Sequence, residues 1–360
     1  MSQSIPETKA YALSTAEYRE RADKILVKSN MFVLNGHRCG LKVMDNVLFI
    51  QPGSVMGEDH DPLPCYRGTT TIRKIVVTSS SGYVSIDALR WCREQDISLL
   101  FLDGKGSLVF SCAPESRDSA ELRRVQYAAS GTEKGSRIAL ELVKKKTISQ
   151  YDTVSRHPEL KKRDELLRTL EQAEWELEYP DDKFLNIDYL RLFEGRLSVA
   201  YFNALVGLPL KWTTSGARKV PPHWRKVTGR ISPISVSGNA RFAVCPFHAG
   251  LNYMYTIEEH NVLCAIHTLG LDPACGFLHA DRPNRDSLVY DLIEPLRAKI
   301  DDKVLDFFSK ITLKKGDLDI LSTGQVVLSA EFARYLIASC RIPSENAIVE
   351  VGWVKGAMIS

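Results

Sequence analysis

The spacing of apolar positions changes character about a third of the way along the chain. From Met31 to Ser111 apolar residues come in short runs broken by turn residues. That pattern predicts strands at Met31–Leu34, Leu41–Ile50, Ile72–Thr78, Ile97–Leu102 and Ser107–Ser111. Asn35-Gly36, Pro52-Gly53 and Asp103-Gly104 are the turns. Between two of the strands Ser85 can cap a short helix, Ile86 to Gln95, whose Leu89 and Cys92 repeat at helical spacing. Gly57–Tyr66, with its acids and two prolines, reads as a loop. After Pro114 the period becomes helical. Leu122, Val125, Ala129, Ile138, Leu142 and Val143 fall at three- and four-residue steps within 122–151, and similar patterns continue at 158–177, 185–206, 250–269, 286–309 and 330–340. No repeat of fixed period is visible. The polar stretch at the start has Ser14 and Glu17 spaced as a capping box before a helix at 16–27. The expected fold is α+β: an N-terminal extension (1–30), a β-rich domain (31–115) and an all-α C-terminal domain (116–360). The connection at 207–246 is too long to serve only as a joint.

Composition is that of an ordinary globular protein, and 360 residues suggest two domains. No apolar window reaches transmembrane length, and the start of the chain lacks a signal peptide's apolar core. Eight cysteines scattered through apolar stretches read as reduced thiols. A cytoplasmic location with no membrane contact is expected. Forty-seven Lys plus Arg against 44 Asp plus Glu is uninformative as a total, but its layout is not. Between Glu194 and Glu258 lie 63 residues with eight bases and no acid. The bases are Arg196, Lys211, Arg218, Lys219, Arg225, Lys226, Arg230 and Arg241, with Trp212, His223 and Trp224 among them. Cations interleaved with rings suit a polyanion: phosphate contacts release counterions, and unpaired bases stack on indole. The window from Lys211 to Arg241 is therefore expected to bind DNA, with Trp224 as a stacking platform. Arg282 and Arg285 in the turn after His279 extend the set.

Three places could carry chemistry. Glu194 has Leu190, Leu197 and Tyr201 four, three and seven residues away, which puts its carboxylate on an apolar stripe. His279 ends the apolar segment Gly276-Phe277-Leu278. Asp291 and Glu294, at i and i+3, point the same way from one helix that Pro295 should bend. Taken singly these are a Glu at the edge of a stripe, a structural His and a solvated acidic face. Together, beside a basic window, their oxygen and nitrogen donors suit Mg²⁺ or Mn²⁺ and phosphodiester chemistry. Cys245-x-x-His248 and Cys264-x-x-His267 look like halves of a zinc site. One helix between them would hold the pairs ~24 Å apart, too far for one ion.

Gly270-Leu271-Asp272-Pro273, Gly276-Phe277-Leu278-His279 and Ser287 to Pro295 follow one another in a pattern that resembles the CRISPR-associated endonuclease and integrase of spacer acquisition, the first-numbered Cas protein. Phe193-Glu194-Gly195 with Ala200-Tyr201-Phe202 is similar to that family's first acidic motif, and Asn252-Tyr253-Met254-Tyr255 to its central helix. Lys74 to Val77, Ser85 to Leu89 and Phe101 to Gly106 resemble its N-terminal sheet domain. Arg124 to Tyr127, Ile138-Ala139 and Lys144-Lys145-Lys146 resemble its first long helix. The resemblance implies that Glu194, His279 and Glu294 coordinate Mg²⁺ or Mn²⁺, that Asp291 supports them, and that Asn252, Tyr253 and Tyr255 line the site. It also implies a homodimer formed through the N-terminal sheet domain, to which the apolar Val76–Val84 region would contribute, and the small second-numbered Cas protein as partner. The implied activity is insertion of short DNA fragments into a CRISPR array, at its leader and repeat, by attack of a 3′-OH on a phosphodiester. Two alternatives remain: a transposon-borne integrase relative, and a DNA-binding scaffold without activity. The intact Glu194, His279 and Glu294 set speaks against the scaffold.

Overall fold

The computed structural model describes Glu17 and residues 30–53, 61–79, 81–112, 119–229, 242–279 and 281–360. The rest of the helix expected at 16–27 lies outside these residues, as do Arg230 and Arg241.

The N-terminal part holds two four-stranded sheets. Strands β1 (Met31–Leu34), β5 (Lys74–Val77), β7 (Ser98–Leu102) and β8 (Leu108–Cys112) form the first, in the order β1-β5-β7-β8. Its first three strands run parallel and β8 closes it antiparallel. The second is β4 (Leu63–Cys65), β3 (Val47–Gln51), β2 (Cys39–Met44) and β6 (Gly82–Val84), in that order. Helix α1 (Ile86–Glu94) begins at Ser85, whose hydroxyl accepts from Ala88 N at 3.1 Å. Parallel strands covered on both faces should read as unbroken apolar runs, and Ile75-Val76-Val77 and Leu99-Leu100 do. Leu34, Ile75, Val77 and Leu99 pack with α1 and the second sheet, whereas Val33, Val76, Leu100 and Leu102 join the core of the helical part. The first sheet is thus a shared wall.

Two expectations are corrected here. The stretch Leu41–Ile50 is two strands, because Asp45 and Asn46 both take positive φ (50° and 65°) and turn the chain back. The Gly57–Tyr66 loop ends in strand, since Leu63–Cys65 pairs with β3.

Helices α2 (Ala120–Ala129), α3 (Glu133–Arg156), α4 (Asp164–Glu178), α5 (Ile187–Leu205), α6 (Thr214–Lys219), α7 (Pro246–Leu269), α8 (Ser287–Lys310), α9 (Ala330–Cys340) and α10 (Glu345–Ile359) build the second part. A short hairpin of β9 (Leu318–Ile320) and β10 (Val326–Leu328) interrupts them, which apolar periodicity did not predict. The helical stretch 122–151 breaks after Ala129, where Gly131 has φ 74° and Ser119 and Thr132 cap the two pieces. Among the described residues no helix is long and apolar enough to cross a membrane.

Helix α7 joins the two parts. Thr256 Oγ1 donates to Gly106 O at 2.7 Å, and Lys74 Nζ donates to Asn261 Oδ1. The Asn261 amide donates in turn to Glu258 Oε2 at 2.7 Å, beside a cavity of about 270 Å³. Burial pushes the Glu258 carboxyl up to about 7, against the opposing pull of the Asn261 amide and Lys74. Folding therefore favours the protonated acid, and this group's contribution to stability is lost as pH rises from about 4.5 through about 7. Glu258→Gln should remove that dependence, so that at pH 8 the variant gains on the order of 3 kcal/mol relative to wild type, and at pH 4.5 almost nothing. Urea unfolding of both proteins at the two pH values checks this; parallel pH profiles would refute it.

Candidate functional site

Three helices converge on one cluster of charge. Lys146 comes from α3, Glu194 from α5 and Glu294 from α8, and α3 packs along α8. The buried face of α3 carries Ile138, Leu142, Val143, Lys146, Gln150 and Thr153, so the lysine sits on an otherwise inward-facing stripe. Its ammonium is ion-paired with Glu194 Oε1 and lies 2.5 Å from Glu294 Oε2. It also donates to Ser198 Oγ at 2.9 Å, whose hydroxyl donates to Glu194 Oε1 at 2.7 Å. Arg297 Nη1 holds the other Glu294 oxygen at 2.7 Å. Its guanidinium stands over the Tyr255 ring at 5.4 Å. Glu294 is 2% exposed. Burial alone would push its carboxyl up, but Arg297 and Lys146 outweigh that and hold it down at about 2.

Asp291, one turn earlier on α8, is fully buried. Its carboxylate accepts from the backbone N–H groups of Phe277, Leu278 and His279 at 2.5, 2.9 and 2.8 Å, and from His279 Nδ1 at 2.7 Å. A carboxylate only accepts, so Nδ1 carries the proton and the ring's lone pair is on Nε2. Gly276 is required beside it: a Cβ there would lie 2.9 Å from Asp291 Oδ2 and from Ser287 Cβ. Arg191 Nε donates to Leu278 O at 2.5 Å and ties the same segment to α5.

Of the residues expected in the site, the structure brings Glu194 and Glu294 together through Lys146, and His279 and Asp291 together directly. Tyr255 reaches the cluster through Arg297. Tyr253 does not: its hydroxyl donates to the carbonyls of Asp103 and Gly104, at 3.3 and 3.0 Å, in the β7–β8 turn. Its role is to seat α7 on the sheet. Asn252 is buried on the same helix, and its carbonyl accepts from Thr256 Oγ1 at 3.0 Å. Lys146 is a site residue that the sequence pattern did not single out. Its signal was a lysine at i+3 and i+4 from Val143 and Leu142, a position that should have been apolar.

Among the described residues no three His, Cys, Asp or Glu side chains are grouped as a metal site. The donor chemistry still fits a divalent cation. Two carboxylates meet around one positive charge, Glu294 Oε2 is buried and accepts no well-directed hydrogen bond, and His279 keeps Nε2 for a ligand. The 2.5 Å approach of Lys146 to that oxygen is an ion pair and not an aligned hydrogen bond. The two Cys/His pairs weighed for zinc sit at opposite ends of α7, which runs unbroken from Pro246 to Leu269.

The basic window is corrected in one respect. Residues 207–229 are not an open loop: they contain α6 and a 3₁₀ turn at Pro222–Arg225, and Leu208, Leu210, Val220 and Val227 join the core. Trp224 is 1% exposed and stacks on Trp212, whose Nε1 donates to Trp224 O at 3.0 Å. It cannot be a platform for bases. Lys211 and Arg225 are exposed but donate to the carbonyls of Ser309 and Ala217, each at 2.6 Å. Arg218, Lys219, Lys226 and Arg282 carry no such tie among the described residues and all four are exposed, while Arg285 is half-buried and lies over the Tyr290 ring at 4.9 Å.

A family model described as CRISPR associated protein Cas1 matches residues 41–341. A CRISPR-associated protein Cas1 of Methanobrevibacter ruminantium is 29% identical over 271 residues, covering 74% of this chain and 76% of that protein. A CRISPR-associated endonuclease Cas1 of Archaeoglobus fulgidus is 28% identical over 248 residues, 64% of this chain and 66% of that one. Among solved structures, a casposase bound to integration product superposes with TM-score 0.71 at 20% identity, covering 91% of this chain and 89% of the other. A Cas1 protein from Thermotoga maritima gives 0.65 at 18%, with 92% and 97% covered. A Cas6-RT-Cas1–Cas2 complex gives 0.64 at 15%, with 91% and 35% covered.

Trp224→Ala should behave as a core truncation. It should cost about 3–5 kcal/mol in unfolding free energy. Below its new midpoint it should bind single-stranded oligonucleotide as wild type does. Selective loss of single-strand binding at unchanged stability would restore the platform role.

Proposed function

The chain belongs to the Cas1 family, and we propose that it is a divalent-cation-dependent DNA integrase and endonuclease acting through Glu194, His279 and Glu294. The observation that carries this reading is the meeting of two glutamates from separate helices around one positive charge, with an imidazole fixed by Asp291 on the same helix as Glu294. A divalent cation held by the two glutamates and His279 Nε2 would supply Lewis acidity toward phosphate oxygens and lower the pKa of a 3′-OH or water. The protein's own groups do the rest. Asp291 fixes the tautomer and orientation of His279. Arg297 keeps one Glu294 oxygen turned away, on its own side. Arg218, Lys219, Lys226 and Arg282 can hold phosphates without reading sequence.

The substrate proposed is double-stranded DNA with 3′ ends, inserted at a CRISPR leader and repeat. A Cas2-type companion is supported by the neighbour found with Cas2. Homodimerisation is supported by edge strand β8, where Leu108, Val109 and Phe110 are exposed. Within the Val76–Val84 region β5 cannot supply an edge, because it is paired on both sides with Val76 and Val77 buried, whereas β6 ends the second sheet and exposes Tyr83. A monomeric mass by light scattering at micromolar concentration would refute the dimer. The likeness to a casposase favours a second reading, a transposon-borne integrase. Terminal inverted repeats beside the gene, in place of a repeat array, would select it.

Labelled 3′-OH duplex, plasmid and Mn²⁺ test the chemistry. Glu194→Ala, His279→Ala and Glu294→Ala should each abolish transfer of label to plasmid while leaving DNA affinity nearly unchanged. Replacing Arg218, Lys219 and Lys226 by Gln should do the reverse. It should weaken binding to all sequences alike and lower the log–log salt slope by about 0.7–0.9 for each phosphate no longer neutralised. Transfer surviving Glu294→Ala, or an unchanged slope, would overturn the respective assignment.

A further inference from the structure

We infer that Lys146 is the resident counter-cation of this site: a positioning residue that holds Glu194 and Glu294 together and withdraws when a divalent cation binds. The inference rests on the metal reading above and assigns a further residue to it. Lys146 is 5% exposed, and a buried charge is costly unless it is paired. Here the partners are the two glutamates themselves.

The charges balance. Lys146 and Arg297 together neutralise Glu194 and Glu294, and without Lys146 two acids would face each other with one cation between them. Arg297 cannot take over, since it is committed to Glu294 Oε1 and stacked on Tyr255. Nor can the adjacent lysines. Lys145 is paired with Glu350 at 2.8 Å and lies over the Trp353 ring, while Lys144 is paired with Glu178. Lys146 differs from Arg297 in being able to leave. It is a point charge on a flexible four-carbon stem, and it makes no directed hydrogen bond to Glu294 Oε2.

The consequence is a competition. With the ammonium in place both glutamates are matched by cations and attract a divalent cation weakly. With the ammonium withdrawn one glutamate is left unmatched, and the site, more negative by one charge, attracts that ion more strongly. Lys146 therefore stabilises the metal-free fold and weakens metal uptake at the same time.

The test uses the purified full chain and two readouts that do not depend on DNA: melting in EDTA, and Mn²⁺ affinity by competition with a fluorescent chelator. Lys146→Met should melt lower than wild type in EDTA and bind Mn²⁺ about tenfold more tightly, the scale of a typical coupling between ligands. Adding Glu194→Gln to Lys146→Met should recover most of the deficit in melting temperature, because one of the opposed acids is gone. Should Lys146→Met fail to fold in EDTA, saturating Mn²⁺ should restore folding; failure to fold even then overturns the inference. Wild type binding Mn²⁺ while Lys146→Met binds it equally or more weakly sinks the role of Lys146 and leaves the metal reading intact. Wild type taking up no Mn²⁺ sinks the metal reading, and the displacement with it.

Discussion

The arrangement of the site depends on one fully buried carboxylate. Asp291 receives three backbone N–H groups and an imidazole N–H from the segment that runs ahead of its own helix. A buried acid is tolerable only when its acceptor sites are filled, and a chain segment with three successive N–H groups needs an acceptor just as much. Each requirement satisfies the other, so residues 277–279 have a single conformation that fits. Gly276 is the accommodation this demands, since any side chain there would meet the carboxylate. Glu294 lies one turn further on and inherits its direction from a helix already pinned at Asp291. Arg191 secures the same segment to the helix that carries Glu194. The relative position of Glu194, His279 and Glu294 thus traces back to Asp291.

Much of this was legible from spacing. The i, i+3 relation of Asp291 and Glu294 and the apolar neighbours of Glu194 are enough to turn these side chains inward. The parallel strands announced themselves as unbroken apolar runs. What spacing could not convey was partnership. Lys146 looked like part of a basic triplet, although its two neighbours pair elsewhere and it alone lies on the buried stripe. Trp224 looked like a ring among cations, but a tryptophan that shares a core with Leu208, Leu210 and Val227 is no surface platform. Tyr253 lies in the right motif and still turns away from the site, because its hydroxyl is satisfied by carbonyls at a sequence separation of about 150. Local pattern indicates which way a side chain points, and only the fold supplies what it meets.

The same distinction separates the two kinds of positive charge in this protein. Lys146 and Arg297 are enclosed, matched one for one with carboxylates, and so tuned to the site. Arg218, Lys219 and Lys226 stand on an ordered stretch whose aromatic and aliphatic residues are anchored in the core. Anchoring the stretch limits how far those cations can wander, so their phosphate contacts would form with less ordering cost than on a free loop.

Helix α7 has an effect on the life of the chain before it is finished. One face of the first sheet, with Val33, Val76, Leu100 and Leu102, is covered by the helical core that includes Tyr253 and Met254. Lys74, on a strand of that sheet, bonds to Asn261, 187 positions later. At about 5–20 residues per second of synthesis, that face waits roughly 10–40 s on the ribosome for its cover. Throughout that interval a nascent chain presents a row of valines and leucines beside an open strand edge, the surface that chaperones hold and that other nascent sheets can stick to. Yield in the cell is then governed by how well the wait is chaperoned, before the stability of the finished protein comes into play.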